Sequence, residues 1–218
     1  MDYYNIDHSA IGLLIDFIGI NTTETGATHL TFSYKDPYSM LNVSRLNVNI
    51  DYQKIEVLNH DLEGIVWSNN LRTELCTKVL VFNDPMECLS YISLKKKLDL
   101  FTGIAILPRT FKKEHILLVK ELFPFARPEC SFGKGQLAAL QDAQYYLVHT
   151  ERDKEIDITY GLEGIKIGNQ KGKIKFYQIF TLRCLIRDFY GNKYKSGPTT
   201  IKPLKKYKSF KAESCQKK

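Results

Sequence analysis

The stretch "KVLVFNDPMECLSYISLKKK", residues 78 to 97, constrains the fold more than any other. "KVLVF" is an apolar run bounded by turn residues, the pattern of a strand covered on both faces; a half-buried strand would alternate apolar with polar. The turn "NDP" follows at once. Pro85 suits the first turn of a helix, where its missing N–H costs nothing, and Asp84 or Asn83 can cap that helix. Met86, Leu89, Tyr91 and Ile92 then supply a packing face. A strand buried on both sides and followed directly by a helix implies an α/β sheet with helices packed against it.

The next segments repeat the unit. "FTGIAIL" is a second strand, and "TFKKEHILLVKELFP" an amphipathic helix with Thr110 as cap and Ile116, Val119 and Leu122 inward. "FARPECSFGKG" reads as a short strand and loop, and "GQLAALQDAQYYLVHT" as a third helix. The expected fold class is therefore α/β, a mainly parallel sheet flanked by helices over residues 78–150. Residues 1–77 form a lead-in: a helix over the first twenty residues, capped by Asp7 or Ser9, then alternating strands in "THLTFSYKD", "RLNVNID" and "KIEVLN", and a short strand in "IVWSNN". Residues 151–192 read as a β-rich extension. There the β-branched and aromatic content of "FYQIFTLRCLIRDF" favours strand over helix. No internal repeat is present.

Several function classes are excluded early. The longest apolar run, "IGLLIDFIGI", is ten residues and interrupted by Asp16, too short to span a bilayer, and no basic segment precedes it as in a signal peptide. A soluble, cytoplasmic protein is the expectation. The five cysteines, Cys76, Cys88, Cys130, Cys184 and Cys215, include no C-x-x-C pair, and the five histidines no H-x-x-x-H pair, so no metal site built from neighbouring residues is expected. No nucleophile elbow or Cys/His pairing stands out.

The net charge of +7 is concentrated at one end. Nine lysines and one glutamate follow residue 192, a net of +8, so the preceding 192 residues carry −1. Residues 193–218 are expected to form a basic, flexible tail. Lys193, Lys195, Lys202, Lys205, Lys206, Lys208 and Lys211, interleaved with Tyr194, Tyr207 and Phe210, would suit phosphate neutralisation and base stacking. The turn "FGKGQ" lacks the spacing of a phosphate-binding P-loop, yet Gly133, Lys134 and Gly135 ahead of a helix offer backbone N–H groups to an anion.

The block Trp67-Ser68-Asn69, Val79 to Phe82, Asn83-Asp84-Pro85-Met86-Glu87 and Cys88-Leu89-Ser90-Tyr91 resembles the Toprim domain shared by primases, topoisomerases and certain nucleases. The resemblance is nearest to Toprim-like modules of bacterial mobile-element primases and covers about the middle half of the chain. It implies a catalytic Glu at the position of Asn83, acting as general acid or base, and a following Asp at the position of Glu87. An amide exchanges no proton near neutral pH, so Asn83 cannot take that role. The resemblance also implies a Mg²⁺-holding Asp-x-Asp, which falls on Cys130 and Phe132; neither residue supplies the oxygen ligands that Mg²⁺ needs. Asp84, Glu87 and Glu129 are the acids left nearby.

The favoured reading is a catalytically inactive Toprim-like protein with no cofactor. It would bind nucleic acid, DNA before RNA, or a replication or mobilisation partner of a plasmid, transposon or phage, roles implied by the resemblance. One alternative is a divergent Mg²⁺-dependent nuclease or primase-type enzyme using Asp84, Glu87 and Glu129. Another is a protein-interaction module with no nucleic-acid role.

Overall fold

A computed structural model describes residues 6, 8–22, 24, 26, 28–49, 55–56, 63–68, 72–95, 98–161, 163–191, 197–203, 207, 209–210 and 213. The chain enters through α1 (His8–Gly12) and a 3-10 turn (Ile15–Phe17). It then forms an antiparallel sheet of β1 (Ile18–Thr22), β2 (Thr28–Lys35), β3 (Asn42–Asn49) and β4 (Ile55–Glu56), in that spatial order. The helix expected over the first twenty residues therefore gives way to strand at Ile18. Ile18 and Ile20 pair with Phe32 and Leu30 of β2, so ladder pairing overrides the helical spacing of Ile11, Leu14, Ile15 and Ile18. The four strands form a sheet of their own. A bridge between Lys35 and Ile65 hands the chain from that sheet to the next.

The central sheet contains β5 (Val66–Trp67), β6 (Lys78–Phe82), β7 (Thr102–Ile106), β8 (Arg127–Ser131) and β12 (Thr199–Thr200), ordered β12-β8-β6-β7-β5. All its pairings are parallel except that of β5 with β7. The apolar runs of β6 and β7 are buried on both faces, which is why neither alternates. Helices α2 (Pro85–Lys95), α3 (Lys113–Leu122) and α4 (Gln136–His149) follow β6, β7 and β8. The chain steps from β6 to β7, then back across β6 to β8. With right-handed crossovers this reversal puts α2 and α3 on opposite faces; in agreement, α2 packs on α1 and α3 on α4. Close packing is enforced at Gly103 in β7, where a Cβ would lie 2.3 Å from the Phe123 ring.

Beyond α4, the strands β9 (Ile156–Gly161), β10 (Gly164–Asn169) and β11 (Ile174–Tyr177) form a separate antiparallel sheet. The expectation of strand through "FYQIFTLRCLIRDF" is corrected here: β11 ends at Tyr177, and α5 (Leu182–Leu185) continues into a π-turn (Ile186–Tyr190). Thr181 caps this helix by accepting the Cys184 N–H, and Leu182 and Leu185 are buried beside Ile165 and Ile167. A cap and a helical pair of leucines outweigh the local β preference. Helix α4 divides two cores. Ala138, Tyr145 and Val148 belong to the core of the central sheet, while Ala139, Ala143, Tyr146 and Leu147 belong to the second, beneath β9–β11. Among the described residues no helix is long and apolar enough to cross a membrane.

Candidate functional site

In an open α/β sheet, ligands gather beyond the carboxyl ends of the strands where the winding reverses. Here that point lies between β6 and β8, flanked by the turn at Asn83 and the turn at residues 132–135. The half-buried Asn83 amide is already hydrogen-bonded. Its Nδ2 donates to Gln141 Oε1 at 3.0 Å, and Gln141 Nε2 donates in turn to the Arg109 carbonyl at 2.8 Å. An amide relay thus ties the tip of β6 to α4 and to the loop after β7.

The neighbouring acids are engaged in structural contacts. Asp84 Oδ1 accepts the N–H groups of Met86 at 2.8 Å and Glu87 at 3.2 Å, so Asp84, not Asn83, is the cap of α2. Glu87 is only 9% exposed. Its Oε2 accepts the Phe210 N–H at 2.6 Å, across 123 positions of sequence. Phe210 lays its ring edge-on to Tyr91 at 4.9 Å. Glu129 lies two residues before the end of β8 and is ion-paired with Lys78 at 3.6 Å. Asp84 caps α2 and Glu87 lies in its first turn; Glu129 is not gathered with them.

Cys130 and Phe132 are core residues. Phe132, 5% exposed, packs against Phe111 at 4.9 Å and Tyr145 at 5.9 Å. Burial, with the charge of Asp142 adding to it, holds the Cys130 thiol well above the ordinary cysteine range, in its neutral form. Among the described residues no three His, Cys, Asp or Glu side chains are grouped as metal ligands.

The basic end of the chain is drawn onto the body at several points. Ile201 N–H bonds the Cys130 carbonyl at 2.8 Å, Lys202 Nζ meets Asp142 Oδ2 at 2.8 Å, and Lys134 Nζ donates to the Tyr207 carbonyl. Tyr207, Phe210 and Glu213 are buried. Lys193, Lys195, Lys205, Lys206, Lys208 and Lys211 lie outside the described residues. Asp142 escaped the sequence reading. It is a buried carboxylate whose pKa burial raises and the Lys202 ammonium pulls back. A lone acid in "QLAALQDAQYY" on an otherwise apolar helix face was the available signal.

Comparison of the sequence with protein-family models and with curated proteins finds no match. Solved structures of similar shape include the primase fragment of the bacteriophage T7 primase-helicase protein, 13% identical, with a TM-score of 0.48. That alignment takes in 68% of this chain, which spans 59% of the length of the fragment. A second is a structure of bacteriophage T7 lagging-strand DNA polymerase interacting with primase domains bound to an RNA/DNA hybrid and dTTP. It is 14% identical, covers 64% of this chain and 70% of that chain, and has a TM-score of 0.45.

Proposed function

We propose that this chain is a primase-related, Toprim-like module that binds nucleic acid in replication or mobilisation and performs no phosphodiester chemistry at its strand tip. The observation that carries the reading is the state of three neighbouring positions. Asn83 offers an amide already bonded to Gln141, Asp84 caps α2, and Glu87 holds the Phe210 N–H. General acid–base work needs a group that can exchange a proton within reach of the scissile bond. Asn83 cannot, and freeing Asp84 would cost the helix its cap, about 1 kcal/mol.

Nucleic-acid binding is supported by the charge distribution, +8 after residue 192 against −1 before it. Cations placed along a phosphate backbone release counterions, so binding should weaken linearly with the logarithm of salt concentration. The test is fluorescence anisotropy of a labelled single-stranded oligonucleotide, DNA and RNA in parallel, titrated at several salt concentrations with EDTA present. A negative log–log slope that shrinks when Lys205, Lys206, Lys208 and Lys211 become alanine is the expected result. Binding that ignores both salt and these substitutions, or none at all, contradicts the reading.

A further inference from the structure

The charge of −1 carried by residues 1–192 hides a local excess. Residues 164–187 hold Lys166, Lys171, Lys173, Lys175, Arg183 and Arg187 and no acid, a net of +6, so the other residues of that stretch carry −7. This basic segment builds β10, β11 and the helix after them. It is a second cationic region, separate in sequence from the chain end.

The strand register decides which of its side chains share a face, because residues paired across an antiparallel ladder lie on the same side of it. Ile165 and Ile167 are buried in the second core, so their rows face inward. The opposite face carries Lys166 and Gly168 from β10, Asp157 and Thr159 from β9, and Ile174 and Phe176 from β11. Thr159, Lys166 and Phe176 stand side by side across the three strands. Phe176 is 71% exposed and Ile174 52%. Two large apolar side chains, two residues apart on one strand, thus stand in solvent together.

The surroundings of the ring limit what can cover it. Lys166 Nζ lies 5.7 Å from the centroid of the Phe176 ring. Glycines flank Lys166 along β10 on this face, and a Cβ at Gly168 would meet only Ile174, at 3.9 Å. The surface beside the ring is therefore low and open to close approach. Asn169 Oδ1 accepts the N–H groups of Lys171 at 3.1 Å and Lys173 at 2.9 Å, which fixes the hairpin turn that presents the exposed Lys171. Asp157 is the acid of this face, on the far strand β9. Among the described residues neither Lys166 nor Lys171 enters an ion pair. An apolar partner would leave both ammonium groups unmatched. A polyanion whose units each carry a flat ring matches the charge and the ring together, phosphates at the lysines and a base on the phenylalanine. A duplex keeps its bases stacked within itself, so the fitting form is a single strand.

We infer that the outward face of β9–β11 is a stacking surface for single-stranded nucleic acid, with a base on Phe176 and the adjoining phosphates at Lys166 and Lys171. The inference rests on the nucleic-acid reading and gives it a surface in the folded body, apart from the lysines of the chain end.

The experiment measures the anisotropy of a labelled single-stranded oligonucleotide, and of the blunt duplex of the same sequence, against the full chain. Beside the wild type it uses Phe176→Ala, Phe176→Trp, Lys166→Ala and the chain with Lys205, Lys206, Lys208 and Lys211 changed to alanine. Positions 166 and 176 are exposed, so their variants should keep the wild-type thermal midpoint. Phe176→Ala should weaken single-strand binding roughly tenfold, with less effect on the duplex. Lys166→Ala should reduce the log–log salt slope by about 1. Phe176→Trp should keep the affinity, and its added fluorescence should be quenched by an unlabelled single strand; Trp67, 4% exposed, supplies a steady background. Single-strand binding untouched by Phe176→Ala but lost with the lysines of the chain end overturns the sheet assignment and leaves the nucleic-acid reading standing. No binding of either nucleic acid by the wild type removes both. Conversion of a wild-type dimer to monomer by Phe176→Ala, with affinity unchanged, gives the face to a second copy of the chain and also overturns the inference.

Discussion

Asn83 at the tip of β6 and Gln141 in the middle of α4 are joined amide to amide at 3.0 Å, although 58 residues separate them. The contact crosses the point where the winding of the sheet reverses, the place where this architecture usually holds a ligand. Packing at this crevice engages the residue at which the sequence resemblance implies proton transfer.

Asn83→Asp should destabilise the fold. Gln141 already donates its Nε2 to the Arg109 carbonyl, so it cannot rotate to greet a carboxylate without giving up that bond. Two acceptors would then face each other, at a cost of about 1–3 kcal/mol. Urea denaturation should show a lower midpoint. A cycle of Asn83→Ala and Gln141→Ala should give a coupling of about 0.5–1.5 kcal/mol, and zero coupling would remove the relay from the account.

Glu87 should act as an anchor for the chain end. Glu87→Gln keeps an oxygen for the Phe210 N–H, whereas Glu87→Leu leaves that buried donor unsatisfied. Hydrogen exchange at the Phe210 amide should stay slow in the first variant and become fast in the second. Equal protection in both would mean that the contact holds nothing.

The Asp142–Lys202 pair makes a prediction about pH. Burial raises the folded-state pKa of Asp142 above its ordinary value of 3.8, Lys202 only partly offsetting it, so the folded state binds this proton more tightly than the unfolded chain. Stability from this group is therefore greatest below the ordinary carboxylate range and is lost as pH rises through the raised value. Asp153 and Glu151 are shifted downward, by Lys113 and Lys120, and contribute in the opposite sense. The difference between wild type and Asp142→Asn isolates the effect. Wild-type stability relative to the variant should fall as pH rises above the ordinary carboxylate range, and a relative rise would reverse the sign assigned to Asp142.

Placing acids at Cys130 and Phe132 should not create a metal site. Phe132 packs between Phe111 and Tyr145, and Cys130 is fully buried. Losing a buried phenylalanine costs about 3–5 kcal/mol before any carboxylate is desolvated. The Cys130→Asp/Phe132→Asp variant should lose its cooperative unfolding transition. A folded variant that binds Mn²⁺ would show that the packing here tolerates two carboxylates, against this prediction.

The parallel core was legible because its signals are local. "KVLVF" and "FTGIAIL" are apolar without alternation, and Asp84-Pro85 carries its own cap and first turn. Two boundaries were missed where distant partners decide. Ile18 to Thr22 became strand because β2 lies beside it, and residues 182–190 turned helical over a core of Ile165 and Ile167. Thr110 was expected to cap α3, but the helix begins at Lys113, where His115 Nδ1 accepts the Lys112 N–H. That Asn83, Cys130 and Phe132 carry no carboxylate was visible in one dimension; that Gln141 and Phe210 bind the neighbouring polar groups was not. Those contacts span 58 and 123 residues and carry no periodic signal.

The central claim, binding without strand-tip chemistry, is tested most directly by the length of the nucleic acid. End-labelled single-stranded DNA and nucleoside triphosphates are incubated with excess protein and Mg²⁺ or Mn²⁺, and products are resolved on a denaturing gel beside a native gel of the same reactions. The account predicts a retarded complex on the native gel and DNA of unchanged length on the denaturing one. Shortened or extended DNA that depends on the metal and disappears in Glu87→Gln would contradict it.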